Sequence, residues 1–187
     1  MKIKIIYNTK KEDILKLSYP CKCNKCENPC KFGSGVLADG DYENIKNYLG
    51  LNDEQAKEYF EEIEKFNTKR LRPKILRDKN KLPYGKCIFY DEKIGCKIHP
   101  VKPLECKIAM GCKDYGEELI LWMHLNHFLN PKDIESLRQY KNYIESGGKI
   151  LEGAEIENFL DNEKKRILEN YQDKKIEKDW EKELGLK

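Results

Sequence analysis

Eight cysteines fall into two groups of four, and residues 31–86, which contain none, separate them. The first group is Cys21, Cys23, Cys26 and Cys30; the second is Cys87, Cys96, Cys106 and Cys112. Four thiolates are the complement of one structural zinc or one iron–sulfur cluster. Whether the cysteines are ligands depends on the compartment. No stretch approaches the ~20 apolar residues of a membrane span, and the start, MKIKIIYNTKKED, lacks the build of a signal peptide. The expectation is a cytoplasmic protein without a membrane partner, where thiols stay reduced. Cysteines in that setting read as metal ligands or redox groups before they read as disulfides.

The rest of the composition agrees. A length of 187 residues fits one domain with a modest appendage. Apolar residues make up 39% and charged residues 37%, against usual values of about 45–50% and about 25%. The core is lean and the surface heavily charged, in a chain long enough to fold without covalent staples. A net charge of +3 is too small to imply a polyanion partner by itself.

Spacing says more about metal than about which metal. The first group reads C-x-C-x2-C-x3-C. Zinc ribbons normally use two CxxC knuckles, and this chain has one, Cys23 to Cys26. The missing knuckle tilts the expectation from Zn2+ towards an iron–sulfur cluster. Lysines flank the cysteines at Lys22, Lys25, Lys31, Lys86, Lys97, Lys107 and Lys113, and nearby cations favour the thiolate. His99, three residues after Cys96, is a further candidate ligand or a hydrogen-bond partner of a thiolate. His124 and His127 share a helix face and read as structural.

Periodicity and punctuation give an α+β fold, predominantly helical, with short strands and an irregular centre organised by metal. Residues 2–7 alternate like a short strand. Asp39 or Asp41 caps a helix through Leu49, stopped by Gly50. Asn52 and Gln55 form a capping box, and the stripe Ala56, Tyr59, Phe60, Ile63, Phe66 has a helical period. Residues 69–81 read as basic and extended, and Cys87 to Tyr90 as a strand. Residues 96–112 read as loop with one helical turn after Pro103. Glu117 to Leu129 is an apolar helix. Asn130 and Pro131 open the next helix, which Ser146-Gly147-Gly148 ends. Residues 161–187 read as one long, charge-balanced helix, a candidate protein-binding element. The expected division is a cysteine-cluster metal-binding domain over 1–153 and the charged helix over 154–187.

The second cysteine group has a recognisable context: Cys87-Ile88-Phe89-Tyr90, then Gly95-Cys96-Lys97-Ile98-His99, then Lys102-Pro103-Leu104-Glu105-Cys106. With the knuckle before it, this resembles the YkgJ-type cysteine-cluster proteins, a family described as zinc- or iron-chelating, over about Tyr19 to Cys112. The knuckle differs from the family's, having no adjacent cysteine pair. The resemblance implies metal or cluster binding through these cysteines. It also implies kinship to flagellin lysine N-methylases, so a methyl-transfer enzyme is the enzymatic alternative. Gly33-Ser34-Gly35-Val36 does not have the GxGxxG form of a nucleotide site and reads as a turn beside the metal. A third alternative is nucleic-acid binding through the basic segment, with Lys69, Arg70, Arg72, Lys74 and Arg77 as phosphate contacts. Whether the two cysteine groups make two sites or one stays open at this level.

Overall fold

A computed structural model describes residues 3–17, 27–77, 83–109 and 116–170. Cys21, Cys23, Cys26 and Cys112 lie outside the described residues, as do Lys79, Lys81 and the 171–187 part of the expected C-terminal helix.

The fold grows around α6 (Gly116–His127). Its sequence is apolar on nearly every side, and a helix of that kind is stable only when enclosed. Leu119, Met123 and Leu125 are fully buried, and Leu121 and Trp122 nearly so. α1 (Lys11–Leu17), α5 (Leu104–Ile108), α7 (Ile134–Glu145) and α8 (Asn162–Glu169) supply Ile14, Leu104 and Ile108, Leu137 and Tyr140, and Leu168 to this core. Two ring polar groups find partners where the elements meet. Tyr140 Oη donates to the Ala154 carbonyl at 2.7 Å, and Trp122 Nε1 donates to the Thr9 carbonyl at 2.9 Å.

A second, smaller core gathers Leu37, Ile45, Ala56, Phe60, Phe89, Tyr90 and Ile98. It is framed by α2 (Glu27–Phe32), α3 (Asp41–Leu49) and α4 (Asp53–Lys57). Short antiparallel pairs complete it: β3 (Ile75–Leu76) with β4 (Lys86–Cys87), and β5 (Tyr90–Asp91) with β6 (Gly95–Cys96). Residues 33–38 run between the cores. Val36 and Ala38 turn to the first and Leu37 to the second, the alternation of an extended chain.

A hairpin joins the two cores. β1 (Phe60–Lys65) pairs antiparallel with β2 (Thr68–Pro73), in the register Phe60 opposite Pro73 and Lys65 opposite Thr68. This corrects the expected helix through Phe66. The capping box at Asn52 and Gln55 is present, but the helix ends at Lys57. Two-residue hairpins favour positive φ at both turn positions, and Phe66 and Asn67 have φ of 47° and 54°. The Phe66 ring is held by Tyr140 and Tyr143, so burial offsets the backbone strain. Burial alternates along β1, with Glu61, Ile63 and Lys65 more enclosed than Glu62 and Glu64, and Asn67 is a residue type that such a turn favours.

Other boundaries shift for local reasons. Residues 2–7 do not form a named strand within the described residues; Ile6 makes one parallel bridge to Glu152. Cys87 to Tyr90 splits into the ends of β4 and β5 with a turn between. α7 begins at Ile134, because Asp133 is the cap, accepting the Glu135 N–H at 3.0 Å. Asn130 instead closes a turn by accepting from the Lys132 N–H at 3.1 Å. The helix from Asp161 runs over Asn162–Glu169, and Asn170 is its C-cap.

Candidate metal centre

Cys30, on α2, and Cys87, Cys96 and Cys106 line one cavity of about 290 Å3. The sequence places Cys30 in the first group and the other three in the second. The fold brings members of both groups to one place, and the four are not disulfide-bonded to one another.

Each sulfur is positioned by a different local device. Cys87 ends β4, and the following turn directs the Phe89 and Tyr90 amides at its sulfur. Cys96 ends β6, opposite Tyr90. Cys106 sits in the middle of α5, whose flanking Leu104 and Ile108 anchor the helix in the larger core. Those two are one turn apart, so Cys106 lies on the opposite side. The Gly35 amide donates to the Cys106 sulfur. A Cβ on Gly35 would lie 2.5 Å from that sulfur, so the turn needs glycine for close approach.

The first turn of α5 is held from outside the helix. Asp41 is 7% exposed, and its Oδ2 accepts from the Ala38 and Leu104 amides at 2.8 Å each. It thus caps α5 from another helix, in place of Pro103, which has no capping side chain. Glu105 accepts the Val36 N–H and faces His124 Nε2 at 3.3 Å. Lys65 Nζ lies 2.8 Å from His124 Nδ1. Adjacent residues of α5 therefore hold adjacent amides of the 33–38 segment, Cys106 with Gly35 and Glu105 with Val36.

Electrostatically, two of the four thiols, Cys87 and Cys106, resist ionising. Burial pushes the Cys87 thiol up to about 12, with Cys30 and Cys96 adding to the rise against the Phe89 and Tyr90 amides. Burial also pushes Cys106 up, with Cys30 and Glu105 contributing. A cation at the centre reverses this balance, because a coordinating thiol is deprotonated outright. The donors are soft and suit zinc or iron. The sulfurs ring the cavity rather than meet at a point: among the described residues, no three His, Cys, Asp or Glu side chains are gathered tightly enough to hold an ion as they stand.

Residues 22–126 match the CxxCxxCC family, described as "Putative zinc- or iron-chelating domain". The chain belongs to this family. The CxxCxxCC match takes in every cysteine except Cys21, one residue before its start. It continues past Cys112 through most of α6, the helix on which the site's supporting core is built. No curated protein and no solved structure matched the chain. No described helix is long and apolar enough to cross a membrane.

The remaining sequence candidates are placed as follows. His99 lines the cavity, in a single 3-10 turn over His99–Val101. Of the basic segment, Arg72 and Arg77 both bind Glu61, at 2.8 and 2.9 Å. Arg70 bonds Asp39 and donates to the His127 carbonyl. Lys69 lies 3.6 Å from Glu62, and Lys74 donates to the Glu58 carbonyl. The basic run of β2 is matched by the acidic run of β1 across the hairpin, as opposite charges on facing strands favour. Asp41, Glu105 and Lys102 are the residues that sequence reasoning missed. Only the Lys-Pro-x-x-Cys string, which holds two of them, gave any signal.

Proposed function

We propose that this protein holds an iron–sulfur cluster in a centre to which both cysteine groups contribute, with Cys30, Cys87, Cys96 and Cys106 among its ligands. The observation that carries this is four cysteines, drawn from both groups, around one cavity. Its size favours a cluster over a lone zinc ion. A water occupies about 30 Å3 in the liquid, so the cavity has space for many atoms. An iron–sulfur cluster fills such a space with bridging sulfide and reaches ligands spread around it. The amides aimed at the Cys87 and Cys106 sulfurs are the kind of donor that tunes a cluster's potential. The bound cluster would supply one-electron chemistry or a rigid scaffold. Cys21, Cys23, Cys26 and Cys112 complete the proposed ligand pool. Cys26 is four residues from Cys30 and Cys112 six from Cys106, within reach of the cavity at about 3.5 Å per residue. His99 is a candidate for an outer hydrogen bond to a sulfur.

The test is iron, zinc and acid-labile sulfide analysis with an absorption spectrum, on protein purified without oxygen. Iron with sulfide and visible charge-transfer bands is the expected result. A colourless protein with stoichiometric zinc would replace the cluster by a zinc scaffold. Protein that carries neither metal and cannot be reconstituted would overturn metal binding. Cys87→Ser and Cys106→Ser should each lower metal content; unchanged content in both would remove them as ligands.

A further inference from the structure

Lys102 is 8% exposed and lines the cysteine cavity. Its ammonium makes no hydrogen bond or ion pair with any described residue. Its nitrogen is not among the fully buried atoms that lack a partner, so the stem is enclosed while the ammonium keeps open space in front of it, as long cationic side chains favour. The chain could easily have placed this amine outside. Instead Lys102 sits between the 3-10 turn of His99–Val101 and Pro103, at the head of the helix that carries Cys106. The cavity lining has one carboxylate, Glu105. Its oxygens are already engaged by the Val36 amide and His124. The rest of the polar lining is four cysteines, Ser34 and His99. Neutral thiols offer an ammonium little. Four thiolates on a divalent ion carry a net charge of −2, and cysteine-ligated clusters are likewise anionic.

We infer that Lys102 is the counter-cation of the metal–thiolate centre, its ammonium facing the negative charge that the cavity cysteines take on when they bind metal. This rests on the metal reading above and adds a residue to it. Lys102 is not a ligand; it acts on the sulfurs through charge and hydrogen bonding, as outer-shell partners do. Arginine would preserve the effect in part, and methionine would keep the apolar stem and remove the charge.

The experiment is a cobalt(II) titration of reduced, chelator-treated full-length protein, followed by thiolate-to-metal absorption, for wild type, Lys102→Met and Lys102→Arg. A second measurement is denaturant unfolding of the same proteins before cobalt is added. Lys102→Met is expected to bind cobalt about tenfold or more weakly and to need a higher pH for half-loading. Lys102→Arg recovers most of both. Before cobalt is added, Lys102→Met is as stable as wild type, since methionine keeps the enclosed apolar stem and the ammonium has no described partner to lose. A lysine with a merely structural role would give the reverse, a less stable protein before loading. That result, or wild-type cobalt affinity and pH dependence in Lys102→Met, overturns the inference while leaving the metal reading intact. Failure of the wild type to develop thiolate absorption would overturn the metal reading and this inference with it.

Discussion

The two cores of this molecule are stabilised in different ways. Around α6, long helices enclose large side chains, and Leu119, Met123, Leu125 and Phe128 are almost wholly shielded from water. Around the cysteines, the strands are two residues long, the helices short, and the centre is a cavity. Two-residue strand pairs contribute little independent stability. The helical core closes on itself through apolar burial, whereas the cysteine core brings sulfurs together without closing them. The difference teaches where a metal would matter: it would complete the second region, and the first would serve as its platform. α5 is the shared part, with Leu104 and Ile108 in one core and Cys106 at the other.

Metal removal should separate the regions most sharply. Binding to a structural metal can be worth about 10 kcal/mol or more of folding energy. Chelation should therefore speed amide exchange strongly over residues 83–101 and 33–38. Amides of α6 and α7 should keep most of their protection, since local units can open below the global unfolding free energy. Equal loss of protection in α6 would make the chain one cooperative unit and break the comparison. Next in size is Leu125→Ala in the helical core. It should cost about 2–5 kcal/mol through lost burial and the cavity left behind, measured by denaturant melts of the metal-loaded protein. Metal content per folded chain should stay at the wild-type level. Metal loss in a variant that melts normally would show that α6 shapes the sulfur cavity directly.

The contrast also explains what was legible in the sequence. Long apolar or amphipathic helices write their period into the chain, so α6 and α7 could be read closely, apart from the Asp133 cap. The metal chemistry was legible as a count of cysteines, because few other roles need eight in this context. Their partnership was not. Cys30 and Cys87 meet because β3 pairs with β4 and α2 packs beside them, contacts between distant residues that local spacing does not encode. The hairpin was misread for a related reason. Ala56, Tyr59, Phe60, Ile63 and Phe66 fit a helical wheel, but Phe60 and Phe66 serve different cores, and only an extended chain reaches both. Asp39 or Asp41 looked like the cap of α3, whereas Gly40 holds that position and the Asp41 carboxylate serves α5.

That assignment of Asp41 gives the third prediction. Asp41→Ala leaves the Ala38 and Leu104 amides without their acceptor, in a place where water cannot readily replace it. The expected cost is about 1–3 kcal/mol, smaller than that of Leu125→Ala. Unlike Leu125→Ala, it should also lower metal content, because α5 carries Cys106. Asp41→Asn retains a carbonyl oxygen at the same place and should recover part of both. A stability loss without any change in metal content would place the head of α5 in the helical region alone.

The smallest expected effect is at the hairpin that spans the two cores. Glu61 accepts from Arg72 and Arg77 near the Phe60 end, and its side chain is 19% exposed. The hydrogen bond from Arg77 holds its carboxyl below the ordinary value of 4.5, against the opposing effect of burial, with Arg72 assisting. Glu61→Gln should cost about 1 kcal/mol near neutral pH and leave metal content unchanged. The sign of its pH dependence follows from the lowered folded-state pKa. The stabilisation is fully present above 4.5 and is lost as pH falls below that value through the folded-state pKa. Wild type and Glu61→Gln should therefore differ at pH 7 and converge in acid, in denaturant melts run across that range. A gap that persists undiminished well below pH 4 would mean that the carboxylate's charge is not what matters. The hairpin would then join the cores by the packing of Phe60 and Phe66 alone.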